Sequence, residues 1–157
     1  MTPSERADQI NQWTLDSMMA VAREAIGDRP RDEIPKWLAP RVAAVIKAGG
    51  GQPEDVARVL DEILGLGPLE PLLRDKTNTE IRIGGPDAIE VLRAGNTEAA
   101  SVAFSDERHL QSVFGRIFRA MKVDPTAGPV ETTMMDGSKL TAQLTDGKLS
   151  ATIVRPG

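Results

Sequence analysis

The chain has no cysteine, which removes disulfides, thiolate metal ligands and thiol nucleophiles together. Histidine occurs once, at His109. That excludes a histidine-rich metal site, and one imidazole alone is no argument for a catalytic base. Aromatic residues make up only 3% of the 157 residues, leaving little for stacking on bases. The net charge of −4 and a pI near 5.1 argue against a counterion-releasing grip on nucleic acid or anionic lipid. No stretch nears the ~18 apolar residues of a membrane span. The start, MTPSERADQI, has acids where a secretion signal needs a basic end and an apolar centre. The chain is therefore expected in the cytoplasm, with no nucleic-acid partner and no direct membrane insertion. A phosphate loop is also missing. Its G-x-x-x-x-G-K-[ST] pattern supplies backbone donors and a lysine for phosphates, yet the only Gly-Lys pair, Gly147-Lys148, is followed by Leu149. Gly49-Gly50-Gly51 follows a helical pattern, lacks the lysine, and reads as a linker rather than an anion cradle. No nucleophile-elbow spacing surrounds Ser101, Ser105, Ser112 or Ser138, so a hydrolase triad has no support.

What is present is a 40% hydrophobic chain whose apolar period changes once. Thr2-Pro3-Ser4-Glu5 fits a capping box, and Ile10, Trp13, Ser17, Val21 and Ala25 trace a helical stripe to Gly27. A second helix begins near RPRDEIP with Ile34, Leu38, Val42, Val45 and Ile46 on one face, and Pro40 predicts a kink or two pieces. A third, opened by Pro53-Glu54-Asp55, carries Val56, Val59, Leu60, Ile63 and Leu64 to Gly65. Past GLGPL the pattern turns to period two, with Ile81, Ile83, Ile89, Val91 and Val102 in short strands. One helix interrupts them, capped by Ser105, with Leu110, Val113, Phe114, Ile117, Phe118 and Met121 as its apolar stripe. Asp136-Gly137 and Asp146-Gly147 each predict a two-residue type I′ hairpin loop in a closing meander. The fold expected is α+β: a three-helix bundle over residues 1–65, then a small, mostly antiparallel sheet domain over 66–157 with one long covering helix and a C-terminal β-meander. Gly65, Gly67 and Pro68 read as a hinge between them, because glycine is permissive and proline redirects the chain.

The acidic pairs Asp61-Glu62 and Asp106-Glu107 read as solvated helix faces, since adjacent helical residues do not converge. His109 reads as a partly exposed helix residue. Met134-Met135 would put one side chain on each sheet face, ordinary filling for one of them, and no metal site is expected. Trp13 and Trp37 are candidate interface anchors, because tryptophan is enriched in binding hot spots, with core placement as the alternative on their helical stripes.

Three segments carry a family resemblance: ILGLGPLEPLLRDKTNTEIRIGGPDAIEVLRAGN, VAFSDERHLQSVFGRIFRAMK and PVETTMMDGSKLTAQL. Together they resemble the N-terminal domain of CpaF-type ATPases of the type II/type IV secretion superfamily, which power tight-adherence pili and related machines. The resemblance runs from about Leu60 to Arg155. It implies a short sheet with helices, joined in the family to a RecA-like core that holds the phosphate loop, with six subunits in a ring. Family members read Asp-Ala-Arg-Leu-Pro-Asp-Gly-Ser-Arg at a hairpin whose arginines face nucleotide phosphates. Here Glu131 stands for the leading Asp, Thr133 for the first arginine and Met135 for the proline. Asp136-Gly137-Ser138 is kept, and Lys139 offers a point charge where arginine offers a fork. Arg155 is what remains of the basic end of the last strand. By this resemblance Glu131, Thr133, Lys139 and Arg155 are vestigial nucleotide-facing positions, and ATP with magnesium would bind only if a core were joined. The reading is of a non-catalytic interaction or regulatory protein that binds a secretion or pilus machine component, with a full-length secretion ATPase as one such partner and a homo-oligomer also open. It would reach the inner face of a membrane only through that partner. Two alternatives stand beside it: the N-terminal fragment of a hexameric CpaF-type ATPase, and an unrelated soluble binding module.

Overall fold

The computed structural model describes residues 2–21, 34–134 and 136–156. Ala25, Gly27, the RPRDE start of the second helical pattern and Met135 lie outside the described residues. Three helices come first: α1 (Pro3–Val21), α2 (Ile34–Ala48) and α3 (Asp55–Leu64). The Thr2 hydroxyl accepts the Glu5 N–H at 3.1 Å and so caps α1. α2 runs through Pro40 as one helix. Ile10 and Trp13 of α1, Val42 and Ile46 of α2 and Val59 of α3 form one buried apolar cluster. Arg6 of α1 adds a tie inside the bundle by pairing with the Asp55 carboxylate, whose side chain is 1% exposed.

The triple glycine closes α2 and makes room for Trp13. Gly50, at φ +78°, occupies the left-handed position that follows a helix. The Gly51 N–H returns to the Ile46 carbonyl at 2.8 Å and the Gly50 N–H to that of Lys47 at 3.2 Å. A β-carbon on Gly51 would sit 2.6 Å from Ile46 Cγ2 and 2.8 Å from the Trp13 ring. A β-carbon on Gly49 would likewise sit 2.7 Å from Trp13 Nε1, so all three glycines have packing or backbone reasons to be there.

After the bundle comes a short helix that the sequence pattern did not reveal, α4 (Leu69–Arg74). Six strands follow: β1 (Asn78–Gly85), β2 (Ala88–Arg93), β3 (Asn96–Ala99), β4 (Val130–Thr133), β5 (Lys139–Thr145) and β6 (Lys148–Val154), with α5 (Glu107–Met121) between β3 and β4. They form one antiparallel sheet in the order β3-β2-β1-β6-β5-β4, so the architecture is α+β as expected. Strand alternation sends Ile81, Ile83, Ile89, Val91, Leu140, Ala142, Leu149, Ala151 and Ile153 to one side. There they meet the α5 stripe of Leu110, Val113, Phe114, Ile117 and Phe118, together with Leu69 and Leu72 of α4. This cluster shares no residue with that of the bundle.

Three local expectations are corrected. Val102 lies in irregular chain after β3 and packs on the core from there. Ser105 is not the cap of α5: Asp106 is, its carboxylate accepting the His109 N–H at 2.8 Å. The Asp146-Gly147 loop has both residues at positive φ, 54° and 75°, as a type I′ turn requires. The Asp136-Gly137 loop does not, because Met134 N–H bonds the Ser138 carbonyl at 2.7 Å and only Gly137, at φ 89°, is left-handed. That hairpin closes with three residues.

Gly51→Ala is expected to lower unfolding free energy by about 1–3 kcal/mol, the usual cost of overpacking a tight site, in urea melts at constant slope. Unchanged stability would mean that Trp13 does not pack against this backbone.

Candidate functional site

α5 and α4 cover one side of the sheet, and the residues alternating with the core strands make a polar face on the other. Register fixes its rows. Glu90, Arg82, Thr152, Thr141 and Glu131 lie side by side across β2, β1, β6, β5 and β4. The adjacent row is Leu92, Glu80, Val154, Lys139 and Thr133. A shallow depression of about 430 Å³ sits on this face, bordered by Arg82, Gly84, Thr141, Gln143, Ser150 and Thr152. Gly84, which has no side chain, lies at its edge.

Three of the four residues singled out as nucleotide-facing belong here. Thr133 and Lys139 are direct cross-strand partners and Glu131 lies in the next row, all exposed. Arg82 of β1, two strands from Lys139 and three from Glu131 and Thr133, is already paired with Glu80. The face therefore presents hydroxyls, one amide and scattered charge, with no convergent cations. It can hydrogen-bond a polar protein surface, and it has no fork for a phosphate.

Arg155 does not join them. Its guanidinium turns the other way, donates to the Leu73 carbonyl at 2.8 Å at the end of α4, and is 15% exposed. This arginine fastens α4 to the last strand. It also stands 3.9 Å from the Asp136 carboxylate, which accepts the Ser138 N–H at 2.8 Å. Burial alone would raise the Asp136 carboxyl; the Ser138 hydrogen bond and the charge of Arg155 outweigh it and hold the group below its ordinary value. Asp136-Gly137-Ser138 is thus a turn-closing unit, with Pro156 packed 3.6 Å from where a Gly137 β-carbon would be.

Trp13 is 5% exposed in the bundle core, so in this conformation it offers no surface to a partner. Trp37 is half-buried, with the Arg41 guanidinium 4.2 Å from its ring centre. The candidate hinge is a tight turn: Gly67 has φ +59°, Pro68 starts α4, and the Leu66 N–H bonds the Glu70 carboxylate at 2.9 Å.

Asp61 and Glu62 proved not to be a solvated face, whereas Asp106 is exposed and Glu107 half-buried. Asp61 makes two 2.9 Å bonds to the Arg74 guanidinium, whose charged form is favoured chiefly by that hydrogen bonding. The Glu62 side chain is 7% exposed and meets His109 Nε2 at 3.1 Å, with His109 itself 10% exposed. Asp106 is the α5 cap, and Glu107 accepts the Leu149 N–H of β6 at 3.1 Å. The partners of Asp61, Glu62 and Glu107 lie 13, 47 and 42 residues away along the chain, and no local spacing announces them. A second concavity of about 570 Å³, lined by Leu64, Leu66, Ile117, Met121 and Met134, runs between α3, α5 and the β4–β5 loop. Among the described residues no group of three or more acidic or histidine side chains could hold a metal ion, and no helix is long and apolar enough to cross a membrane.

No family model and no curated protein matches the chain. Among solved structures it is similar to the VirB11 ATPase from the Brucella suis type IV secretion system, determined in complex with sulphate, at 25% identity and a TM-score of 0.52. The fold is similar to part of a type IV secretion ATPase. The similarity covers 57% of this chain and 29% of that ATPase, so the chain spans under a third of its length. It supports the secretion ATPase superfamily as the relationship read from the sequence.

The Asp136 contacts have a pH signature. A carboxyl held below its ordinary value contributes stability above that value and loses it as pH falls through the lowered folded value. Asp136→Asn should therefore flatten the acid limb of the stability profile below about pH 4, read as melting temperature against pH. Parallel limbs for the two proteins would contradict this role.

Proposed function

We propose that this chain is a non-catalytic interaction module, related to the N-terminal domain of CpaF-type secretion and pilus ATPases. It docks the polar face of its sheet on another component of such a machine. A full-length secretion ATPase is the favoured partner. The observation that carries the reading is the similarity to a secretion ATPase over the larger part of this chain and the smaller part of that one. The chemistry of the face agrees with it. Thr133 offers a hydroxyl without charge and Lys139 a charge without a fork, while Arg82 is already paired and Arg155 faces elsewhere. A half-site of this kind, open to water, is screened by salt. It suits a protein surface better than a nucleotide.

A second reading, the front part of a hexameric CpaF-type ATPase, is favoured by the small share of the solved ATPase's length that the chain spans. Both readings place the phosphate-binding chemistry outside these 157 residues, because magnesium and γ-phosphate find no ligand set here. Calorimetry with ATP and magnesium is expected to give a Kd weaker than ~1 mM, less than ~4 kcal/mol of binding. Thr133→Arg with Lys139→Arg should add little unless a RecA-like core is present in the same polypeptide. Micromolar ATP binding by the unaltered chain would overturn both readings.

A further inference from the structure

The two apolar clusters share no residue, and much of what joins the bundle to the sheet is polar. A continuous hydrogen-bond path leaves the bundle, crosses the sheet-bearing part and returns. Asn11 Nδ2 of α1 donates to Ser105 Oγ at 2.9 Å. The Ser105 N–H donates to His109 Nδ1 at 3.0 Å. His109 Nε2 meets Glu62 Oε2 of α3 at 3.1 Å.

The second of these bonds fixes the tautomer. A backbone N–H can only donate, so Nδ1 carries the lone pair, and the ring proton sits on Nε2, where it points at the carboxylate. Two turns along the same face of α5, Arg116 donates to the carbonyls of Glu62 at 3.2 Å and Gly65 at 2.8 Å. It thereby caps the end of α3, where unsatisfied carbonyls and the helix dipole favour a cation. The turn that would have to move, Gly65 to Pro68, lies immediately beyond these contacts.

We propose that Asn11, Ser105, His109 and Glu62, with Arg116, form a releasable latch that holds the helical bundle against the sheet, and that the turn at Gly65–Pro68 is the hinge it restrains. The proposal does not depend on the function proposed above. Interfaces within a chain that are small and polar permit relative motion of the parts they join. Here the joint concentrates its hold in a few bonds involving charged groups, the bidentate Asp61–Arg74 pair across the same turn among them, and such bonds are the stronger kind. Each half keeps its own apolar cluster when those bonds are broken.

The absence of cysteine allows clean two-site labelling of the full chain. Spin labels at Leu15→Cys on α1, where the native side chain is 60% exposed, and at Gln143→Cys on the open sheet face report the distance between the two parts. The chain with its latch intact is expected to give one narrow distance. His109→Phe keeps a ring against Phe104, whose centre lies 5.3 Å from that of His109, and removes both nitrogens. Combined with Arg116→Leu and with Arg74→Leu, which removes the pair to Asp61 across the turn, it is expected to raise the population at other distances about tenfold or more, the effect of losing charged hydrogen bonds. Hydrogen exchange on the same variant should show amide protection kept in α1–α3 and in β1, β5 and β6, with loss confined to residues near Ser105 and Leu66. An unchanged distance distribution would overturn the latch. Protection lost together in bundle and sheet would overturn it as well, since the two would then be one cooperative unit.

Discussion

Helix α5 serves two layers at once. Its apolar stripe, from Leu110 to Phe118, seals the inward side of the sheet, and its polar positions His109 and Arg116 grip α3. An amphipathic helix normally turns its charged side to water. Here part of that side is buried against a carboxylate and helix-end carbonyls, so the element that closes one core also positions the other. The remaining surfaces follow from this arrangement. With one side of the sheet covered by helices, the alternate residues of the same strands must make a polar face on the other.

That face is where the resemblance and the geometry meet. The hairpin positions that the resemblance assigns to nucleotide do lie together on exposed strands, except for Arg155. Against the pattern that the resemblance implies, they offer fewer and less directional cations, while Asp136-Gly137-Ser138 matches that pattern. Asp136 still bonds the Ser138 amide, and Gly137 still takes the left-handed conformation. Arg155, read as part of the site, instead secures the carbonyl end of α4.

The parts of the fold legible in the sequence were those with enough repeats of a period. The stripes of α1, α3 and α5 and the alternation of β5 and β6 each span several turns or residue pairs, and the Asp-Gly turn at 146–147 has a conformational requirement that two residues meet. α4 was missed because Leu69–Arg74 is too short to show a period and lies just after Gly-Pro, which reads as a break. Asp61 and Glu62 were read as solvated because the pattern shows only neighbours on one helix. Their partners, Arg74 and His109, arrive through tertiary packing. The same holds for Trp13, whose place depends on two glycines of the α2 terminus. For the site, the sequence identified the hairpin, and the register then decided which of its residues share a face.

The open face of this sheet is proposed as a protein-docking surface. It is tested most directly by nuclear magnetic resonance titration of the isotope-labelled chain with a separately expressed RecA-like core of a type IV secretion ATPase. The account predicts amide shifts that saturate and map to Arg82, Thr133, Lys139, Thr141 and Thr152. Shifts confined to α1–α3, or none on the sheet face at saturating core, would contradict it.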